Sequence, residues 1–399
     1  FSDGSKGMAL NLENDNVAIG NDALEDNLAS NNTAVGHQAL MNNTTGSGNV
    51  AVGANALDAC TTSVSNVCIG TGAGGAISTG NGENVCIGNN CAAAMTTAQQ
   101  NILIGDNCAA GQAITGNSNV IVGDNAGYNL TTGGSNVAVG GGAFAANTTG
   151  NNNVAIGFDA LKSQTGSHKT VAIGYQAGED ITSTNNTTLV GAGAGKNITT
   201  GNGHTIIGCD AGGGITTSEG NVLIGQLAGN YNVTLTGSSN VYIGLNVRGS
   251  AAGNNYELVF GRDADGKGSN TGFMKANSGM YQSNNSSSWS TTSDERIKKN
   301  IVDYNEGLSK ILNVRVRNFE YRTEEEITAF ENPRSAKVDK QGIQLGVIAQ
   351  EIEQVLPTSV SVTSDGVKVV NDDEIIWHLV NAVKELSAEV EQLKSQLNN

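Results

Sequence analysis

Proline and aromatic side chains are scarce: 2 Pro and 4% Phe, Trp and Tyr in 399 residues. Few rings make one large globular core hard to fill, although the length alone suggests two or three domains. Charge is thin as well, 15% against about 25% in an ordinary soluble domain. What charge exists leans negative, with 21 Lys+Arg, 37 Asp+Glu and a formal net charge of −16. Nucleic-acid binding needs a basic face, so no nucleic-acid partner is expected. The chain has no run of about 18 apolar residues, so no membrane insertion is expected. No signal peptide is visible, and a start at Phe1 rather than Met suggests a missing upstream segment.

Glycine is abundant, at 54 residues, 50 of them before position 293. Residues 1–292 hold 8 Lys/Arg, 18 Asp/Glu and no proline, whereas residues 293–399 hold 13, 19 and both prolines, Pro333 and Pro357. Between them runs the polar stretch Asn284-Asn285-Ser286-Ser287-Ser288, a linker signal. The expected division is a repetitive shaft or head over 1–264, a linker over 265–292 and a separate domain over 293–399.

The first part is one motif repeated. Asn16-Val17-Ala18-Ile19-Gly20 recurs fifteen times with its Gly at spacings of 16 to 19, mostly 17. Such a period means a solenoid-like array. Its second and fourth positions are β-branched or apolar, which suits one face of a strand. The third position faces the other way and is never charged, being Ala, Cys, Leu, Ile, Val or Tyr242. A strand with a solvated face should alternate apolar and polar. Here neither face is polar, so one fills a narrow coil and the other needs a cover, which a second copy of the chain would supply. Gly and β-branched residues at this density rule against helix. Asn opens eleven of the fifteen copies and is expected to form hydrogen-bonded ladders along the axis. Ala follows the Gly by three residues in twelve copies. Fifteen rungs give a rod of roughly 70 Å.

Asn-Val-Ala-Ile-Gly followed by x-x-Ala resembles the head repeat of trimeric autotransporter adhesins over about residues 16–264. The resemblance implies a parallel β-roll packed in threes. This chain departs from the pattern in its longer period and in lacking those adhesins' C-terminal membrane barrel.

Cys68 and Cys86 take the third position of adjacent copies, and Cys91 and Cys108 take the post-Gly alanine position. In-register neighbours sit about 4.8 Å apart, too far for a relaxed disulfide, and no His or carboxylate completes a zinc site. They read as small buried hydrophobes in place of Ala; Cys60 and Cys209 lie off these columns. No metal or other cofactor is expected. Aromatics gather at Tyr231, Tyr242, Tyr256, Phe260, Phe273 and Tyr281, which suits either a recognition surface or packing at a widening of the rod.

The C-terminal region opens with Ser293-Asp294-Glu295-Arg296-Ile297-Lys298-Lys299-Asn300-Ile301. A short helix is expected over Gly307–Leu312 and a strand over Val314–Tyr321. The polar stretch Thr323–Gln341 reads as a loop. A helix should end at Leu356-Pro357, and a hairpin should turn at Asp365-Gly366. The last segment reads as a helix capped by Asn371 or Asp372, with a coiled coil over about 373–398. Ile376, Leu379, Val383, Leu386, Val390, Leu393 and Leu397 alternate three and four apart. β-branched and Leu positions in that order favour dimers, so a trimer would take its number from the domain above.

This region, through Gly346-Val347-Ile348-Ala349-Gln350-Glu351, Leu356-Pro357 and the terminal heptads, resembles the self-cleaving intramolecular chaperone of phage tailspikes, tail fibres and endosialidases. The resemblance implies a catalytic Ser293–Lys298 dyad in a domain that trimerises, templates the fibre and cuts itself off. Cleavage is expected at Thr292–Ser293, with Ser293–Asp294 second. Serine needs a base, and lysine serves only when neutral, through burial or a nearby cation such as Arg296 or Lys299. No His lies near in sequence, so Ser-Lys is the economical pairing.

The expected protein is therefore mainly β, a homotrimeric solenoid fibre with a C-terminal α+β chaperone. It would be a phage tail fibre in the extracellular virion, assembled in the host cytoplasm. Its partners would be other virion tail proteins and a host cell-surface receptor, a glycan among the candidates. Any enzyme activity would be a single self-cleavage. Two alternatives are a bacterial surface adhesin head, which would need an anchor, and a polysaccharide-degrading fibre enzyme, which would need paired carboxylates in a cleft.

Overall fold

A computed structural model describes residues 8–11, 14–80, 82–229, 235–275, 293–330, 333–338, 340–363 and 366–398. The chain divides into two compact units, Phe1–Ala264 and Asp265–Asn399.

The first unit is a parallel solenoid of about fifteen turns. A leading strand β1 (Met8–Asn11) pairs antiparallel with β2 (Asn16–Ile19). From β2 to β16 (Leu258–Phe260), each rung lies parallel on the next, with equivalent motif positions opposed, such as Ala138 on Ala155 and Leu223 on Tyr242. The third motif position fills the coil: Ala34, Cys68, Leu103, Ile121, Leu189 and Tyr242 are all buried. The second and fourth positions turn outward, and Ile69, Ile102, Val139, Ile156, Ile173 and Ile207 stay substantially exposed. The two apolar faces expected from the sequence are thus an inner one, buried within the chain, and an outer one that is not.

Glycine closes each strand because nothing else fits. Gly140 has a φ of +134°, and a Cβ there would lie 2.5 Å from the carbonyl oxygen of Gly157 on the next rung. The opening Asn is buried and spans the rungs. Asn119 Oδ1 accepts from the Asn136 backbone N–H at 3.0 Å and from its Nδ2 at 3.1 Å, while Asn119 Nδ2 donates to Gly133 O at 3.0 Å. Thr170 continues the ladder by accepting nothing from Asn153 but donating its N–H to Asn153 Oδ1 at 2.9 Å. His204 holds the same position farther along, where Asn221 N–H donates to its Nδ1 at 3.3 Å. On the outside a second column runs through threonines, as in Thr131 Oγ1 to Thr148 O at 2.8 Å and Thr148 Oγ1 to Thr165 O at 3.0 Å.

The six cysteines are free thiols, five buried and Cys209 exposed. Cys91 Sγ donates to Leu103 O at 3.1 Å, and burial pushes the Cys60 thiol up to about 11, so that sulfur stays protonated and packs as a small hydrophobe. No cluster that could hold a metal occurs among the described residues.

The second unit is small and α+β. Helix α1 (Leu308–Ile311) packs on the long terminal helix α4 (Asp372–Leu397). The unit's first strand is β17 (Gly272–Met274), and strands β18 (Arg317–Phe319) and β19 (Gln344–Gly346) pair antiparallel. One helical turn, α2 (Pro333–Ala336), interrupts the stretch expected to be loop. Helix α3 (Ala349–Val355) stops before Pro357, and the hairpin β20 (Val360–Val362) with β21 (Lys368–Val370) follows. Asp365 of its expected turn lies outside the described residues. Asn371 caps α4, its Oδ1 accepting from the Asp373 N–H at 3.1 Å. No helix among the described residues is long and apolar enough to cross a membrane.

Candidate functional site

The segment that opens the second unit folds back on itself. Asp294 caps a 3-10 turn over Glu295–Ile297, its Oδ1 accepting from the Arg296 N–H at 2.9 Å. The Lys298 N–H then donates to Glu295 O at 3.0 Å. One tight turn across five positions is what lets a side chain at 298 return to 293. Lys298 Nζ donates to Ser293 Oγ at 2.7 Å. The pair expected from the sequence is therefore in contact, at a distance suited to proton transfer, with the lysine as donor; to act as a general base it would have to be neutral and accept from the hydroxyl instead.

The surroundings differ from the expectation. Arg296, a cation near the lysine in sequence, has its guanidinium on Asp294, with Nη2 at 2.6 Å from Oδ2 and Nε at 3.0 Å from Oδ1. That pairing holds the Asp294 carboxyl below its ordinary value. Ser293, Lys298 and Lys299 are all exposed, as are Ile297, Ile301 and Val302 around them. A lysine base must shed its charge through desolvation or repulsion. Among the described residues of the single chain nothing buries this one. Thr292, on the other side of the first-choice scissile bond, lies outside the described residues.

The unit around this segment is tied by polar contacts. Arg317 grips Glu351 through Nη2 at 2.6 Å and Nε at 3.2 Å, joining β18 to α3, and lowers that carboxyl's pKa. Glu374 Oε2 accepts from Thr358 and Ser359 hydroxyls, each at 2.7 Å. His378 Nδ1 lies 2.9 Å from Glu306 O, and Leu308 N–H donates to Glu385 at 2.9 Å, fixing α1 on α4. The heptad residues Ile376, Leu379, Val383, Leu386, Val390, Leu393 and Leu397 form an exposed seam along α4.

The aromatics noted near the end of the rod have different settings. Tyr242 is core, its hydroxyl donating to Glu257 at 3.0 Å, and Lys267 lies over Phe273 at 5.1 Å. Tyr256 is exposed, whereas Tyr231 and Tyr281 lie outside the described residues. The sequence reading missed Phe158 and Tyr175, exposed rings stacked 5.8 Å apart on adjacent rungs. Their shared position, one after the motif Gly, was the available signal.

Residues 293–361 match the family model described as chaperone of endosialidase. No curated protein matches the chain. The matched stretch contains Ser293 and Lys298 and ends inside β20, ahead of α4. That match, with a long parallel solenoid preceding it, fits a fibre of the tailspike and endosialidase kind carrying a C-terminal chaperone.

Proposed function

We propose that the chain is a virion fibre, of a phage tail, whose C-terminal unit assembles three copies, templates the rod and then releases itself. The observation that carries this reading is the 2.7 Å contact between Lys298 Nζ and Ser293 Oγ inside the matched segment. The Ser293 hydroxyl attacks the carbonyl of residue 292 through a five-membered ring, and Lys298 takes the proton. As the Oγ–C bond forms, the C–N bond to Ser293 breaks and Lys298 returns the proton to the freed Ser293 amine; water then hydrolyses the ester, leaving a carboxylate on residue 292 and restoring the Ser293 hydroxyl. Association supplies the missing cover, since burial of the 293–302 segment against neighbouring copies would desolvate Lys298. Cleavage then reports completed assembly.

Two exposed apolar surfaces support association: the outward Val/Ile stripe of the rod and the heptad seam of α4. The trimer number comes from the resemblance to trimeric fibres. The rod, left on the virion, would meet the host surface. Purified full-length protein should resolve on a denaturing gel into a rod and a C-terminal fragment. Ser293→Ala and Lys298→Ala should each leave one full-length band in an assembly of unchanged size. Equal fragment formation in Ser293→Ala would overturn the mechanism.

A further inference from the structure

Phe158 and Tyr175 follow the motif Gly on adjacent rungs and are 53% and 55% exposed. Their rings are nearly parallel, 12° apart, with centroids 5.8 Å apart, so they stack as one ridge across two rungs. The same column holds no other Phe, Tyr or Trp in the fifteen copies of the motif. Small residues bracket the pair, Gly141 on the rung before and Ala192 on the rung after. The Phe158 ring reaches towards Gly141, where an added Cβ would lie 3.5 Å from Cδ2. The ridge therefore stands between low neighbours.

It also adjoins the outward stripe. Two positions ahead of the rings are Ile156 and Ile173, themselves 36% and 38% exposed, in the same motif position as Val139 and Ile207. An apolar face that repeats at about 4.8 Å along the rod calls for a partner with the same period. A second copy of this chain, lying parallel, has that period. The exposed heptad seam of α4 is a separate surface that also suits copies of the chain. Closed assemblies of identical chains set equal heights against one another.

The stripe alone does not say which rung faces which. Its rungs offer similar apolar residues at the same place, so a whole-rung slip keeps its contacts. The ridge distinguishes the registers. With copies level, both rings lie at the height of the same rings on the neighbouring copy. A slip of one rung sets Tyr175 of one copy against Ala192 of the next, and Gly141 against Phe158. A slip of two rungs takes every ring off its counterpart. Buried aromatic anchors dominate many interfaces, so the ring contacts decide between registers.

We propose that the Phe158–Tyr175 ridge is a register mark, read by a second copy of this chain packed parallel along the outward stripe. The proposal rests on the association of copies in the proposed function and adds which residues fix their relative height. It assigns the rings to a contact between chains and not to a ligand.

The test co-expresses full-length chains bearing two different N-terminal affinity tags and measures co-capture. One variant moves the ridge by a rung: Phe158→Ala, Tyr175→Phe and Ala192→Tyr. All three positions are exposed, so the interior of the coil is untouched. Wild type with wild type sets the reference. Wild type with the moved ridge should co-capture about ten-fold less, while each alone keeps the same molar mass by sedimentation. A second variant, Phe158→Ala with Tyr175→Ala, should lower the temperature at which the assembled rod dissociates. Co-capture undiminished by the moved ridge would overturn the inference and leave association standing. Unchanged dissociation of the double-alanine variant would overturn it too. A wild-type chain that sediments as a monomer would remove association itself, and the inference with it.

Discussion

Gln164 occupies a buried column whose other members include Ile77, Leu130, Ile181 and Ile198, and neither of its amide atoms has a hydrogen-bond partner. A buried amide without partners costs about 1–3 kcal/mol. Gln164→Ile should therefore stabilise the rod by about that much, read as a higher urea midpoint; an unchanged or lower midpoint would show the amide is satisfied. His204 poses the opposite case. Burial lowers its pKa from the ordinary 6.5, against the pull of its Ser218 and Asn221 contacts and the Glu219 charge. With Nδ1 accepting and Nε2 2.8 Å from Ser218 O, the ring fits its slot only when neutral. The unfolded chain binds the proton more readily, so this contribution is full above pH 6.5 and is lost as pH falls below it. The stability difference between His204→Asn, which restores the ladder, and the native chain should grow in favour of the variant from pH 7 to pH 5. His204 was legible in the sequence as a departure from the Asn column, whereas the column of Gln164 needed the structure to define it. What either costs was not legible, because it depends on which partners the neighbouring rungs leave free.

At the scale of the rung, the same few contacts repeat, so one substitution samples a general rule. Asn119→Ala removes the acceptor for the Asn136 N–H and the donor to Gly133 O. With one to two buried groups left unpaired, a loss of about 1–3 kcal/mol is expected by chemical denaturation. Gly140→Ala should be worse, combining an adverse φ with the approach of Gly157 O, and should give poorly soluble rod. Strands, their one-rung register and the buried Asn column were legible because the motif repeats and one repeat predicts the others. Which apolar face points inward was not, since the β-branched pair and the small central residue are both apolar. Chain path decides it: the third position is buried whatever its size, from Ala34 and Ala155 to Leu103 and Tyr242. In the second unit the hairpin, α1 and the α4 cap were readable from turn residues and periodicity. The Ser293–Lys298 pairing was readable through resemblance, but the capture of Arg296 by Asp294 needed the geometry of the turn.

Across the whole molecule, near-identical rungs create a folding problem that their stability does not solve. A slip of one whole rung between copies preserves almost every contact, so the rod specifies register weakly by itself. Parallel pairing between chains is slow and exposes apolar strands while it waits. The α4 seam is short, local and non-repetitive beyond three heptads, so it offers an unambiguous starting alignment. If it aligns three chains before the rod zips, its removal afterwards leaves a fibre held by its unfolding barrier. History, and not sequence alone, would then determine the state of the rod. The most direct measurement compares the molar mass, by sedimentation, of residues 1–292 prepared in two ways: released by cleavage from the full-length chain, and expressed alone. The proposed assembly predicts a soluble trimer from the first and monomer or aggregate from the second. Identical soluble trimers from both would contradict it.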